Sequence, residues 1–234
     1  YGYARFNPIY ADHYAMRGEP MDDYEGPTVF ATHSTHKLLN ALSQASWLHV
    51  RHGKSSIDFS RFNQAYMMHA TTSPLYAISA SNDVAVSQMD GNRGLSLTTE
   101  VIREAIDFRQ AMGRLYREYQ EDGNDWFFKP WNAETVTDPA TGEEYAFEDA
   151  PTELLATEQD CWVMHPGDSW HGFADMPADW CMLDPIKVSI LAPGMGDDGQ
   201  LLSSGVPAAL VTLFLGRFGI IPTRTTDFQV MFLF

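Results

Sequence analysis

The strongest constraint on the fold is a long stripe of apolar residues near the middle of the chain. Over residues 98–120 the apolar side chains recur every three or four positions, at Val101, Ala105, Phe108, Met112, Leu115 and Tyr119. This spacing places them on one face of an amphipathic helix of about six turns. We interpret the stripe as a packing face rather than a cofactor site, because a helix of this kind has to cover a core.

Composition narrows the class of protein and its partners. The chain has 234 residues, enough for one large domain or two smaller ones, and 44% of them are hydrophobic, which is typical of a globular protein. Its 15 basic and 31 acidic residues give a net charge of −16, which argues against a nucleic-acid partner and against docking on an anionic membrane. No segment is typical of a signal peptide or a membrane span. Two cysteines are too few for a disulfide scaffold, so reduced thiols and a cytoplasmic location are expected.

Strand and helix patterns alternate in the rest of the chain, which predicts an α/β sandwich. Strands are expected at residues 28–31, 161–164, 187–191 and 227–234, and helices at 59–67 and 207–215. A further helix should have Ser73 as its N-cap and Pro74 at its first position, and should end at Gly91. Helical spacing over residues 38–45 is followed by residues 46–50, which fit a strand equally well. Residues 1–27 and 122–150 are predicted loops, and a domain boundary is expected within residues 91–94.

The two ends of the chain predict a piece of a longer protein. The sequence begins at Tyr1 rather than Met, and it stops within the apolar run of residues 230–234. A strand that ended there would present an unpaired edge. We therefore expect the isolated piece to be poorly soluble. We also expect it to be inactive, because part of its chemical site would lie outside these 234 residues.

A lysine that follows a polar turn is the leading candidate for chemistry. Ser34, Thr35 and His36 can all donate hydrogen bonds to an anion such as phosphate, and Lys37 comes next, before an apolar segment. Apolar neighbours would lower the pKa of Lys37, as a lysine that forms a Schiff base requires. The alternative interpretation is a solvated lysine in a surface loop.

Three other patterns are weaker. His33, His36, His49 and His52 have a spacing that suggests a metal site, but structural zinc sites of such spacing normally include cysteine, so no metal is expected. Cys161 lies in a predicted strand, where a buried thiol is usually inert. The glycines at 194, 196 and 199 adjoin two aspartates that would repel phosphate, so they predict a surface turn.

Residues 28–46 resemble the segment that carries the cofactor lysine in the bacterial ornithine/lysine/arginine decarboxylases, which are fold-type-I pyridoxal-phosphate enzymes. The likeness extends over essentially the whole chain, through residues 62–74, 170–173 and 184–187. Residues 5–14, 160–167 and 223–229 are similar to the acid-inducible, arginine-specific branch of the family. The resemblance implies a three-layer α/β sandwich, with residues 1–91 at the end of the large cofactor-binding domain and residues 92–234 in a small C-terminal domain.

The resemblance also implies roles for individual residues. Lys37 corresponds to the lysine that binds pyridoxal 5'-phosphate covalently, and Ser34 and His36 match positions that contact its phosphate. Thr71 matches a threonine that reaches the phosphate of the neighbouring subunit's cofactor, so the site would be shared across a homodimer. The family's aspartate that holds the pyridine nitrogen, and the imidazole that stacks on the ring, would both lie upstream of Tyr1.

The implied reaction converts the small-molecule substrate arginine to agmatine and carbon dioxide and consumes a proton, which suits acid resistance. Lysine or ornithine is the alternative substrate, and a non-catalytic assembly or regulatory module with the same fold is the alternative function. The family also implies a decamer of five dimers. Copies of a chain with a net charge of −16 repel one another at neutral pH. We therefore expect assembly beyond the dimer to be favoured by mild acid.

Overall fold

The computed structural model describes residues 26–122, 128–178, 181–192 and 205–234. They fall into two compact units that divide between Leu97 and Thr98. The described part mixes helices with sheets, which confirms the α/β class predicted from the sequence. Residues 1–25 of the predicted loop at 1–27 and the glycines at 194, 196 and 199 lie outside the described residues.

The first unit contains an antiparallel hairpin followed by helices. Its elements are β1 (Val29–His33), α1 (Thr35–Leu38), β2 (Trp47–Arg51), α2 (Phe59–Met67) and α3 (Tyr76–Met89). The predicted strand before the lysine turn and the helix at 59–67 are confirmed. The helical spacing over residues 38–45 was misleading, because α1 ends at Leu38 and only the strand interpretation of the following residues is right.

The start of α3 differs from the prediction by two residues. The helix begins at Tyr76, with Leu75 at the N-cap position, so Ser73 is not the cap and Pro74 is not the first helical residue. Instead, the Ser73 N–H donates to the Thr71 hydroxyl, a local turn that competes with helix formation. The helix ends at Met89, and Gly91, with a φ of 61°, begins the next helix.

The long helix α4 (Gly91–Glu121) confirms the stripe as a helix, and its residues from Thr98 onwards belong to the second unit. After it come β3 (Lys129–Pro130), β4 (Thr135–Thr137), β5 (Glu144–Ala146), α5 (Thr152–Thr157), β6 (Lys187–Leu191), α6 (Ala208–Gly216), β7 (Arg224–Thr225) and β8 (Gln229–Leu233). Strands β4 and β5 form a hairpin inside the predicted loop at 122–150. The other strands form a four-stranded antiparallel sheet in the order β3-β6-β8-β7.

The expectation that the last strand presents an unpaired edge was wrong. Strand β8 lies inside the sheet, where Val188 of β6 faces Phe232 on one side and Thr225 of β7 faces Val230 on the other. The sequence did not reveal this, because β6 is distant in the chain and β7, although it directly precedes β8, has only two residues.

Helix α4 packs against two apolar clusters of the second unit. Ala105 joins Val188 and Ile190 of the sheet, with Phe108 and Met112 against them. The next residue, Ile106, turns about 100° around the helix to a second cluster, formed with Val136, Phe147, Ala150, Leu155, Cys161 and Trp162. The packing interpretation of the stripe is therefore confirmed for Ala105, Phe108 and Met112, whereas Leu115 is 40% exposed.

The predicted strand at 161–164 was wrong. Residues Gln159–Trp162 form a 3₁₀ turn, and only a single bridge, from Val163 to Met182, follows it. The Trp162 indole N–H donates to the Leu155 carbonyl at 2.8 Å, which holds this apolar run against α5 rather than in a sheet. Within the described residues, every helix is too short or too polar to cross a membrane.

Candidate functional site

The lysine turn lies in the connection between the two strands of a hairpin. Strands β1 and β2 pair from Val29 with Arg51 through to His33 with Trp47, so residues 34–46 form one closed loop. Backbone pairing thus holds both ends of the loop that carries Lys37. Within β1 only Ala31 is buried, so the hairpin is a partly solvated one.

One carbonyl closes this loop on itself. The oxygen of Ala45, which is 1% exposed, accepts from the Thr35 N–H at 3.1 Å and from the His36 Nδ1 at 2.9 Å. Gln44 directly before it has a φ of 77°, a left-handed conformation that a non-glycine residue adopts only where its surroundings require it. The loop conformation is therefore fixed by side-chain and backbone hydrogen bonds, with little apolar burial.

Ser34, His36 and Lys37 come together in the first turn of this loop. The Lys37 N–H donates to the Ser34 carbonyl at 3.1 Å. Ser34 occupies the N-cap position of α1, but its side chain makes no capping hydrogen bond. His36 is half-buried, whereas Ser34 and Lys37 are exposed. The predicted phosphate-contacting pair and the predicted reactive lysine thus lie within four consecutive residues.

The hydrogen bond of His36 also fixes which ring nitrogen carries a proton. A carbonyl oxygen accepts only, so Nδ1 must be the protonated nitrogen in its contact with Ala45. The remaining nitrogen, Nε2, is an acceptor in the neutral ring and a donor only in the imidazolium form.

Among the described residues the Lys37 side chain is exposed, which differs from the apolar surroundings that the sequence predicted. The reason is the direction of the turn: Thr35, two residues earlier and therefore on the other side of the one-turn helix, is the buried residue at 3% exposed.

Sequence reasoning missed the side chain of Asn82, which accepts a hydrogen bond from the turn. The Thr35 hydroxyl donates to Oδ1 of Asn82 in α3. The only local signal was a run of poor helix formers, Ser81, Asn82 and Asp83, in the middle of a helix, where such residues usually have a partner for their polar groups.

Thr71 lies apart from the lysine turn, in the connection between α2 and α3. It is exposed, and its hydroxyl accepts from the Ser73 N–H at 3.2 Å. Its predicted role concerns the cofactor of a neighbouring subunit and stays a prediction.

The weaker candidate sites can also be placed. The rings of His33 and His49 lie 4.9 Å apart, and burial together with His49 lowers the pKa of His33. No cluster of three or more potential metal ligands occurs among the described residues. Cys161 is buried, and burial with the nearby Glu158 raises the pKa of its thiol, which opposes thiolate chemistry.

Comparisons with known proteins identify the family to which the chain belongs. The family model described as the major domain of Orn/Lys/Arg decarboxylases matches residues 1–234. The chain is 79% identical to the biodegradative arginine decarboxylase of Escherichia coli K12 over its whole length, and this covers 31% of that protein. It is 41% identical to a lysine decarboxylase of Pseudomonas aeruginosa, again over the whole chain and over 29% of the relative. The chain thus spans under a third of the length of these curated relatives.

The solved structures give the same answer for the fold. Lysine decarboxylase A from Pseudomonas aeruginosa superposes with a TM-score of 0.76 at 41% identity, over 100% of this chain and 29% of that one. The constitutive lysine decarboxylase of E. coli gives a TM-score of 0.69 at 39% identity, over 99% of this chain and 28% of that one. The predicted domain boundary, with residues 1–91 in the large domain and residues 92–234 in the small one, stays a prediction. Sequence, fold and the lysine turn together lead to one conclusion: the chain belongs to the Orn/Lys/Arg decarboxylase family.

Proposed function

We propose that this chain supplies the reactive lysine of a pyridoxal-phosphate-dependent decarboxylase that converts arginine to agmatine. The observation that carries the proposal is the turn of Ser34, His36 and Lys37, held in a closed hairpin loop in a chain that is 79% identical to an arginine decarboxylase. The activity is that of the full-length protein, of which these residues form one part.

The chemistry of the turn suits the cofactor. An aldehyde needs an amine that can reach it, and Lys37 is exposed; a phosphate needs donors, which the Ser34 hydroxyl and the His36 ring offer. The Lys37 Nζ would bond to the aldehyde carbon, whose oxygen would leave as water. Thr71 of a second subunit is the remaining phosphate contact in this proposal. The family's pyridine-nitrogen aspartate and ring-stacking imidazole would come from outside these 234 residues.

His36 has a specific proton requirement in this role. Because its Nδ1 donates to Ala45, it can donate to a phosphate oxygen only through Nε2, and only as an imidazolium. The charged hydrogen bond that results is stronger than a neutral one.

The reaction balances without an external oxidant or reductant. The Cα–carboxylate bond of arginine breaks, carbon dioxide leaves, and the electron pair remains on Cα until a proton is added there. When bound, pyridoxal phosphate supplies the electron sink that makes this step possible. The contribution of the chain is to orient Lys37 and to hold the phosphate through Ser34 and His36.

Arginine is the preferred substrate because identity to the arginine-specific relative is about twice the identity to the lysine-specific one. The test is to assay the full-length protein against arginine, lysine and ornithine under identical conditions. The highest kcat/KM should be for arginine. A preference for lysine or ornithine would overturn the substrate assignment but not the reaction class.

Lys37 itself is tested by covalent trapping. Borohydride reduction of the full-length protein with its cofactor, followed by peptide mapping, should place the pyridoxyl group on Lys37. Lys37→Ala should abolish turnover and leave the unfolding temperature nearly unchanged, because it removes an exposed amine rather than packing. Lys54→Ala, also at an exposed lysine, is the matched control. A pyridoxyl group on Lys54 or Lys187 would contradict the assignment, and the absence of any cofactor would favour the non-catalytic module.

The same proposal includes cytoplasmic location and acid-dependent assembly of homodimers into a decamer. Carboxylates that crowd a subunit contact would have raised pKa values, so assembly takes up protons and is favoured at roughly pH 5 to 7. Sedimentation velocity of the full-length protein from about pH 8 to pH 5, at two salt concentrations, checks this. An oligomer of constant size would mean that the acidic surface serves solubility alone.

A further inference from the structure

Two neighbouring side chains in the middle of α3 hydrogen-bond to the loop that carries Lys37. The Thr35 hydroxyl donates to Asn82 Oδ1 at 2.5 Å, and the Leu42 N–H donates to Ser81 Oγ at 3.0 Å. The Ser81 hydroxyl in turn donates to the Ile78 carbonyl one turn earlier in α3. The helix therefore holds the loop on both sides of the lysine.

Thr35 makes several of the hydrogen bonds that hold the loop. It is 3% exposed, its N–H donates to the Ala45 carbonyl, its hydroxyl donates to Asn82, and its own carbonyl accepts from the Leu39 N–H at 3.0 Å. Each of its polar groups thus has a partner. Because α1 has only four residues, it has almost no stability of its own, and its conformation depends on these bonds.

We propose that Asn82 is a positioning residue for Lys37, and that it acts by accepting the hydroxyl proton of Thr35. The residues that would face the cofactor, Ser34, His36 and Lys37, all lie within two positions of Thr35. A fixed Thr35 therefore fixes the direction in which all three leave the turn. The proposal rests on the proposed function for the identity of the reacting group, but the contact itself does not involve the cofactor.

The chemistry of the contact predicts which substitutions preserve it. Asn82→Asp keeps an oxygen acceptor on a side chain of the same length, whereas Asn82→Leu keeps the approximate side-chain volume and removes the acceptor. Thr35→Ser keeps the hydroxyl donor, whereas Thr35→Val keeps the branched shape and removes it. The loss of either partner leaves the other polar group in the pair unsatisfied.

The test uses the full-length protein in two states. Without cofactor, hydrogen–deuterium exchange of the peptide that covers residues 34–42 should speed up in Asn82→Leu and Thr35→Val, and stay slow in Asn82→Asp and Thr35→Ser. With cofactor, kcat should fall by roughly ten- to a hundredfold in the first pair with KM little changed, because the reacting amine is misplaced. The fraction of bound cofactor that borohydride fixes to Lys37 should fall in parallel.

The controls separate positioning from general stability. Gln88→Met makes a similar amide-to-apolar change at an exposed position of the same helix, and should alter neither exchange nor kcat. The double variant Thr35→Val/Asn82→Leu should cost no more than the worse single variant, because both remove one bond. Unchanged exchange over residues 34–42 in Asn82→Leu, or failure of Asn82→Asp to preserve kcat, would overturn the proposal. If the wild type binds no cofactor, the proposed function fails, and the exchange comparison alone decides whether Asn82 holds the turn.

Discussion

The two compact units of the chain are stabilised in different ways. Among the described residues of the first unit, the buried side chains are few and small: Ala31, Thr35, Ala45 and Ala85. The second unit buries Ile106, Phe147, Leu155, Trp162 and Val188 in clusters around α4. The lysine turn is therefore held mainly by directional hydrogen bonds, and the second unit mainly by apolar packing.

This difference bears on where function can be placed. Hydrogen bonds fix direction but contribute little net stability, so a loop held by them presents reactive groups without burying them. Packed clusters contribute stability but leave few polar groups accessible. The unit with the smaller core is accordingly the one that carries Ser34, His36 and Lys37.

Arg109 is the exception on the packed side, and its substitution should have the largest effect. Its guanidinium is fully buried and donates to the carbonyls of Trp131, Asp184, Pro185 and Lys187 and to Oδ1 of Asn132. Burial lowers the pKa of Arg109 to about 9, against the opposing effect of Asp184, so it stays charged at neutral pH. Arg109→Leu should lower the free energy of unfolding by about 3 to 5 kcal/mol.

Urea unfolding of the full-length protein measures this change. Arg103→Leu is the control on the same helix: its ion pair with Glu153 is exposed, so the loss should be below about 1 kcal/mol. Equal effects for the two arginines would show that the buried network does not hold the second unit.

One substitution made in both units sharpens the contrast. Val188→Ala in β6 removes two methyl groups from a fully buried position and should cost about 2 kcal/mol. Val84→Ala in α3 changes a side chain that is 54% exposed and should cost almost nothing, since alanine is also the better helix former. Thermal unfolding compares the two. A large loss for Val84→Ala would mean that other parts of the full-length protein cover this face of α3.

The pH dependence of the first unit should be small and have a definite sign. Burial and the facing His49 lower the pKa of His33, so the unfolded chain binds a proton there more readily than the folded one. The stabilisation is complete above the ordinary imidazole pKa of about 6.5 and is lost as pH falls below it towards the lowered value. Since His33 is partly solvated, the loss should stay well below about 1 kcal/mol. Stability measured from pH 8 to pH 5 should vary less in His33→Gln; an identical slope would exclude His33 as the cause.

Thiol reactivity is the mildest probe of the packed unit. Burial raises the pKa of both Cys161 and Cys181, and Cys161 is the more deeply buried and lies near Glu158. When the native protein is alkylated at pH 8, we expect Cys181 to react before Cys161. Mass spectrometry of samples taken over time measures the order. Arg109→Leu should reduce the difference. If Cys161 reacts first in the wild type, that part of the core opens more easily than its packing implies.

Local patterns predicted what local chemistry decides. The long helix, β6 and α6 were predicted correctly, because their periodicity is contained within a few turns. The roles of Ser34, His36 and Lys37 rest on a short local motif and stay predictions. The pairing of β8 with its neighbouring strands could not be predicted from the sequence, and neither could the hydrogen bond between Asn82 and Thr35. Thr35 and Asn82 are 47 positions apart, and the sequence around either residue does not indicate that the other is its hydrogen-bond partner.

Two errors have the same physical origin. Residues 161–164 have the composition of a strand, yet the bond from Trp162 to Leu155 holds them in a turn. The spacing after Lys37 is that of a helix, yet the Ala45 carbonyl draws the chain back after one turn. In both cases a tertiary hydrogen bond overrides a local preference that is weak over so few residues.

The position of β8 in the sheet also sets an order of events during synthesis. Lys187 of β6 pairs with Leu233 of β8, so the central strands of the sheet cannot meet until the ribosome has released the later one. The hairpin of β1 and β2 closes over a much shorter loop and can form far earlier. The nascent chain would thus carry a formed lysine loop while the apolar strands Lys187–Leu191 and Gln229–Leu233 still await each other, and that interval is when chaperones would be most needed.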